Sequence, residues 1–205
     1  HESPQAYWEA VHQQGYSDWV WSITEDKKVQ QKIIEELGKL PNRKKILLPG
    51  CGSKEIIENL IAKEYPDVDA IKGTDYPEVI AHLGAISERI TYEERDSTEL
   101  GYHEEWDTVL IINSIVSETD EENSAIIKSC SKALSPRGVF MGFFPTVFAT
   151  MDIAYTEGNE ERLRCVNPWQ NVFHEPRQGV SQKFYTPLRL RNLIKNAGLG
   201  LQSME

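Results

Sequence analysis

A short apolar run, Lys45-Ile46-Leu47-Leu48-Pro49, leads directly into Gly50-Cys51-Gly52-Ser53 and then into a stretch with Ile56, Ile57, Leu60 and Ile61 at helical spacing. This order constrains the fold more than any other feature. A buried strand that stops at a Gly-x-Gly turn and opens a helix is half of a βαβ unit. The glycines let the backbone approach a ligand closely, and the helix start offers free N–H groups at the carboxyl edge of a sheet.

The rest of the chain repeats the alternation. A helix is expected over residues 24–40, with Thr24 as its cap and Val29, Ile33, Ile34 and Leu37 on one face. Strands are expected over residues 68–74, 90–93, 106–112 and 139–144, the last after the turn Ser135-Pro136-Arg137-Gly138. Val109, Leu110, Ile111 and Ile112 are continuous and apolar, so both faces of that strand should be covered. Helices are expected over residues 55–64, 77–83 and 121–134. The order predicts an α/β fold, an open and mostly parallel sheet with helices on both faces.

Two segments stand outside this alternation. Residues 3–40 open with Tyr7, Trp8, Tyr16, Trp19 and Trp21 and read as an N-terminal helical cover. Residues 148–183 mix polar and aromatic side chains with no clear period, and they read as a lid insertion after the fifth strand. A helix opened by Thr186-Pro187 and stopped at Gly198 follows, then a sixth strand over residues 199–204 where the chain ends, short of a final antiparallel strand. Residues 1–205 are therefore expected to form a single domain with its core at 44–146.

Composition excludes several classes. The chain has 205 residues, is 40% hydrophobic and 26% charged, and carries a net charge of −10, which fits a folded domain with a real core. Nucleic-acid binders need clustered positive charge, and no basic stripe is present. An anionic membrane surface is disfavoured for the same reason. Three widely spaced cysteines without a Cys-x-x-Cys argue against disulfides or a metal site and for the cytoplasm.

Two carboxylates follow the glycine turn in order. Asp75 ends the second strand, where it either accepts both hydroxyls of a ribose or stands as a solvated loop acid. Asp96 follows the third strand, where it either takes the exocyclic amine of an adenine or caps a turn. A dinucleotide fingerprint would place a third glycine at position 55, where Glu55 stands, so a nucleoside without a pyrophosphate fits better.

At this point the chain resembles the class I S-adenosylmethionine-dependent methyltransferases, through ILLPGCGS, IKGTDYPEVI, ERDSTEL, EWDTVLIINSIVSE and LSPRGVFMGFF. The tail QKFYTPLRLRNLIKNAGL is similar to that family's last helix, and the Pro-Gly-Cys-Gly form is loosely similar to the thiopurine-methyltransferase-like branch. The resemblance implies a three-layer αβα Rossmann-like fold, S-adenosylmethionine as cofactor and S-adenosylhomocysteine as product. It implies that Gly50, Cys51 and Gly52 pack against the methionine part, that Asp75 holds the ribose, and that Tyr76 stacks near the adenine. Asp96 and Ser97 would read the adenine edge, and Asn113 and Ser114 would line the transfer site. One departure stands out: the family often has an acid near the end of its first strand, and Leu48 stands there. The amino group then needs another acceptor, with the carbonyls of Pro49 or Gly50 and the side chain of Asn113 as candidates.

Methyl transfer from a sulfonium needs an aligned nucleophile, exclusion of water and, for some acceptors, a base. His174 and Glu118 are the candidate catalytic groups, although the first also reads as a loop histidine and the second as a helix-capping acid. Trp19, Trp21, Trp169 and Phe173 are candidate substrate-binding residues, forming either an aromatic pocket or cover for the sheet. The expected function is methyl transfer to O, N or S of a small molecule. The alternatives are a protein lysine or N-terminal amine methyltransferase and a catalytically inactive nucleoside-binding partner subunit.

Overall fold

The computed structural model describes Ala6 and residues 23–84, 87–156, 158–175 and 180–204. The aromatic residues Tyr7, Trp8, Tyr16, Trp19 and Trp21 lie outside the described residues.

Strand β1 (Lys45–Pro49), β2 (Ala70–Asp75), β3 (Ile90–Glu94), β4 (Trp106–Ile112) and β5 (Leu134–Phe143) form one sheet in the order β3-β2-β1-β4-β5. Every pairing in it is parallel. Among the described residues from 23 onward the α-helices are α1 (Lys27–Gly38), α2 (Ile56–Glu64), α3 (Pro77–Ile80), α4 (Asp120–Ala133), α5 (Val147–Thr156), α6 (Glu160–Arg164) and α7 (Pro187–Asn196).

The strand period of two divides the core between the sheet's faces. Leu47, Val109 and Ile111 point to one face, against Ile126, Ile127 and Cys130 of α4 and Leu190, Leu193 and Ile194 of α7. Ile46, Leu48 and Leu110 point to the other, against Ile33 and Leu37 of α1 and Ile57 and Ile61 of α2. The three-layer α/β architecture expected from the sequence is therefore present.

Four local expectations are corrected. Helix α1 is capped by Asp26, whose carboxylate accepts from Lys28 N at 2.7 Å and Val29 N at 3.2 Å, while Thr24 sits in a 3-10 turn at Ile23–Glu25. A carboxylate next to the first helical residue accepts two of the free N–H groups and outcompetes the more distant threonine. The turn expected at residues 135–138 lies inside β5. Leu134 pairs with Trp106 and Val139 with Thr108, so three extra residues bulge out of the ladder.

The insertion is ordered rather than patternless. It forms α5, α6 and a three-stranded antiparallel sheet of β6 (Val166–Asn167), β7 (Val172–Glu175) and β8 (Val180–Lys183). Its own small core is Val147, Phe173 and Phe184. Finally, residues 199–204 are not a strand. Gly198 has φ 79° and Leu199 N returns to Ile194 O at 3.2 Å, so the chain leaves α7 through a helix-terminating turn.

Candidate functional site

The parallel order brings the carboxyl ends of β1 to β5 to one edge. Strand order reverses between β1 and β4, the place where open α/β sheets form a crevice. The glycine turn, Asp75, Asp96 and Asn113 all follow strand ends at this edge, as the sequence predicts.

The glycine turn is held from three sides. Gly50 N donates to Thr74 O at 2.8 Å and Cys51 N to the same oxygen at 3.2 Å. Gly52 N donates to Asp75 Oδ2 at 2.8 Å. From β4, the Ser114 hydroxyl stands 2.9 Å from the Gly50 carbonyl and 3.0 Å from the Ile112 carbonyl, and shares its proton between them. Gly50 has φ 63° and Gly52 φ 75°. A Cβ on Gly50 would stand 2.5 Å from Ser114 Cβ, whereas one on Gly52 would meet nothing within 4 Å. The second glycine thus keeps a stretch of backbone bare and open at the crevice.

Asp75 accepts from Tyr76 N at 2.9 Å as well as from Gly52 N. Burial raises its pKa to about 6 against the pull of those two N–H groups. Each oxygen keeps a further lone pair for a ligand hydroxyl. Tyr76 follows directly at the start of α3. Asp96 caps the short turn Ser97–Glu99, accepting from Thr98 N at 2.8 Å and Thr98 Oγ1 at 2.7 Å through one oxygen. It is exposed, with its second oxygen free of hydrogen bonds among the described residues.

Asn113 is exposed and adopts φ 55°, held by its N–H on Phe143 O at 2.9 Å. A non-glycine residue in this left-handed region carries a small backbone cost, here at the strand end that borders the crevice. Burial, with the charges of Asp75 and Glu58, pushes the Cys51 thiol pKa up and keeps it in the thiol form. No cluster of ligating side chains suited to a metal occurs among the described residues.

The candidate catalytic and acceptor-side residues are placed less centrally. Glu118 is exposed in the loop between β4 and α4, and Thr119 rather than Glu118 caps α4, accepting from Glu122 N at 3.2 Å. His174 is exposed on β7, with Nδ1 2.9 Å from Ser181 Oγ. Phe173, one residue away and therefore on the opposite face, stacks on Phe184 inside the insertion's core. Trp169 is 91% exposed at the β6–β7 turn. Trp169 and Phe173 thus wall no common pocket, while Trp19 and Trp21 lie outside the described residues.

Sequence reasoning missed three groups. Asn123 is fully buried and holds Ser117 by both its amide atoms, accepting from Ser117 N at 3.0 Å and donating to Ser117 O at 2.8 Å. This fixes the loop after β4. Asp120 pairs with Lys183 at 3.0 Å and with Arg189, and Lys183 N donates to Val116 O at 3.2 Å. These contacts anchor the insertion beside the β4 edge. Glu58 of α2 is 1% exposed, and burial raises its pKa to about 7. Its signal was visible, since it falls three residues before Ile61 on the buried side of α2. No helix among the described residues is long and apolar enough to cross a membrane.

The fold has close counterparts among solved structures. A chain of the complex between the Haloferax volcanii Trm112 methyltransferase activator and a methyltransferase superposes with TM-score 0.65 at 14% identity, over 98% of this chain and 78% of that one. A S-adenosylmethionine-dependent methyltransferase from Methanosarcina mazei gives TM-score 0.60 at 18% identity, over 80% and 82%. Magnesium protoporphyrin IX methyltransferase from Synechocystis, solved with bound S-adenosylhomocysteine, gives 0.55 at 17% identity, over 86% and 74%. No protein-family model matches the chain, and no curated protein does. The likenesses show that the chain has the Rossmann-like fold of S-adenosylmethionine-dependent methyltransferases.

Proposed function

We propose that this chain binds S-adenosylmethionine across the carboxyl edge of its sheet and transfers the methyl group to a small-molecule acceptor at O, N or S. The observation that carries the reading is the Gly52–Asp75 pair. A bare glycine backbone and a half-buried carboxylate meet at 2.8 Å beside the strand-order reversal, and together they suit a nucleoside with a thioether or sulfonium tail. The cofactor, when bound, supplies a methyl group already activated by its sulfonium.

The chain's residues then bind, orient and exclude water. Asp75 accepts ribose hydroxyls, Asp96 with Ser97 meets the adenine edge, and Tyr76 lies beside it. Asn113 and Ser114 border the crevice where acceptor and methyl group are aligned, with alignment contributing most of the rate. An acceptor amine that arrives neutral needs no base, whereas a hydroxyl passes its proton to His174, Glu118 or water.

Calorimetric titration with S-adenosylmethionine and S-adenosylhomocysteine tests the cofactor site. Micromolar binding that Asp75→Ala abolishes is expected, followed by transfer of labelled methyl to members of an acceptor panel. No binding of either ligand by the folded wild-type chain would sink the reading.

A second reading, a protein amine as acceptor, is favoured by the insertion's surface. Trp169, Tyr155 and Phe148 are exposed there by 91%, 78% and 67%, and the chain carries a net charge of −10. Exposed aromatics on an acidic protein suit a basic partner. Labelling of proteins but of no small molecule would select this reading.

A further inference from the structure

We propose that Glu58 is the carboxylate that receives the ammonium group at the amino-acid end of the cofactor. The inference rests on the cofactor reading above. Leu48, 3% exposed, closes the end of β1 with an apolar side chain and offers no acceptor of its own. Glu58 reaches the same region from α2. With Leu48, Pro49, Gly50, Cys51 and Ile112 it lines a cavity of about 20 Å³ bordered by the glycine turn.

The carboxyl group is buried to 1% exposure. It has no cationic partner among the described residues, and the hydrogen bond it accepts is from its own backbone N–H. Burying a carboxylate in this way is costly unless a positive charge or several donors meet it. The cavity holds about one water-sized group, the size of an ammonium head and far smaller than a nucleoside, which lies instead along the open crevice. An ammonium brings three donors and the missing charge. A ligand carboxylate in the same place would be repelled. The structural rival is Tyr92 of β3, whose hydroxyl is buried, has no hydrogen-bond partner among the described residues, and lies close enough to feel the charge of Glu58. A Tyr92–Glu58 bond would make Glu58 a packing residue instead.

Three ligands separate these roles by calorimetry: S-adenosylhomocysteine, decarboxylated S-adenosylmethionine, which keeps the amine, and 5′-methylthioadenosine, which lacks the amino-acid end. Glu58→Gln is expected to weaken the first two by about tenfold or more and to leave the third within about twofold. Wild-type binding of S-adenosylhomocysteine at pH 7, measured in two buffers of different ionisation enthalpy, is expected to release protons as the ammonium recharges Glu58. This proton count needs no variant. Equal losses for all three ligands, no loss for the amine-bearing pair, or absent proton release would overturn the assignment. Failure of the wild-type chain to bind any of the three would instead remove the cofactor reading and this inference with it.

Discussion

The hydroxyl of Ser114 stands 2.9 Å from the carbonyl of Gly50, and this contact fastens the end of β4 to the end of β1 across the reversal of strand order. The residue that packs against the glycine turn is therefore also the residue that bars any side chain there. Gly50→Ala meets both a clash with Ser114 and a left-handed backbone. It is expected to cost about 2 kcal/mol or more, whereas Gly52→Ala meets only the backbone term of about 1 kcal/mol. Urea denaturation of the two variants checks the order, and equal losses would contradict it.

Glu58 and Asp75 have pKa values raised to about 7 and about 6, from ordinary values of 4.5 and 3.8. The folded chain therefore holds these protons longer than the unfolded chain. Their contribution to stability is fully present below about pH 4 and is lost as pH rises through the folded values. Glu58→Gln should match the wild type near pH 4 and exceed it by about 3 kcal/mol at pH 8. Stability curves across that range measure it, and a wild-type advantage at pH 8 would refute the sign.

Glu93 shifts the other way. It accepts from Tyr102 Oη at 2.6 Å, Lys72 Nζ at 2.9 Å and Arg95 Nε at 2.8 Å, and these bonds hold its pKa down at about 2. Its contribution is present above about pH 4.5 and lost as pH falls towards 2. Partial exposure of the partners limits it to about 1 kcal/mol. Glu93→Gln should lose that amount at neutral pH and converge on the wild type near pH 2, as acid-denaturation curves would show.

Two neighbouring aromatics of the insertion should behave in opposite ways. Phe173→Ala removes a buried ring stacked 5.8 Å from Phe184 and is expected to cost about 3 kcal/mol. Trp169→Ala touches an exposed ring and should stay within about 0.5 kcal/mol. If Trp169 meets the acceptor, its variant raises KM for that acceptor while leaving S-adenosylhomocysteine affinity intact. Thermal melts and initial-rate kinetics distinguish the two residues.

Strands β1 and β4 are readable in the sequence because both of their faces are buried, which leaves an unbroken apolar run. The glycine turn and Asp75 are readable because few other residue types fit a close backbone approach and a strand-end acceptor. Strands β6 to β8 are harder to see, since two to four residues carry too little period and residues such as His174 face solvent. The break in β5 hides in Ser135-Pro136-Arg137-Gly138, whose composition signals a turn whether or not the pairing resumes beyond it. Asp96 is ambiguous for a related reason: one carboxylate can cap a turn and face a ligand at once. Glu58 is passed over because charge on a helix ordinarily means solvent, although its place three residues before Ile61 already puts it on the buried side of α2.

The pairing of Ile46 with Thr108 joins parts of the chain far apart in sequence, with β2, β3 and their crossovers lying between them. Such a long loop must close before the contact repays its entropy. No folding species lacking that pairing has a crevice between β1 and β4. The edge between β1 and β4 thus exists only once this long-range pairing is made, so a ligand that fits it recognises the finished sheet and stabilises it by mass action.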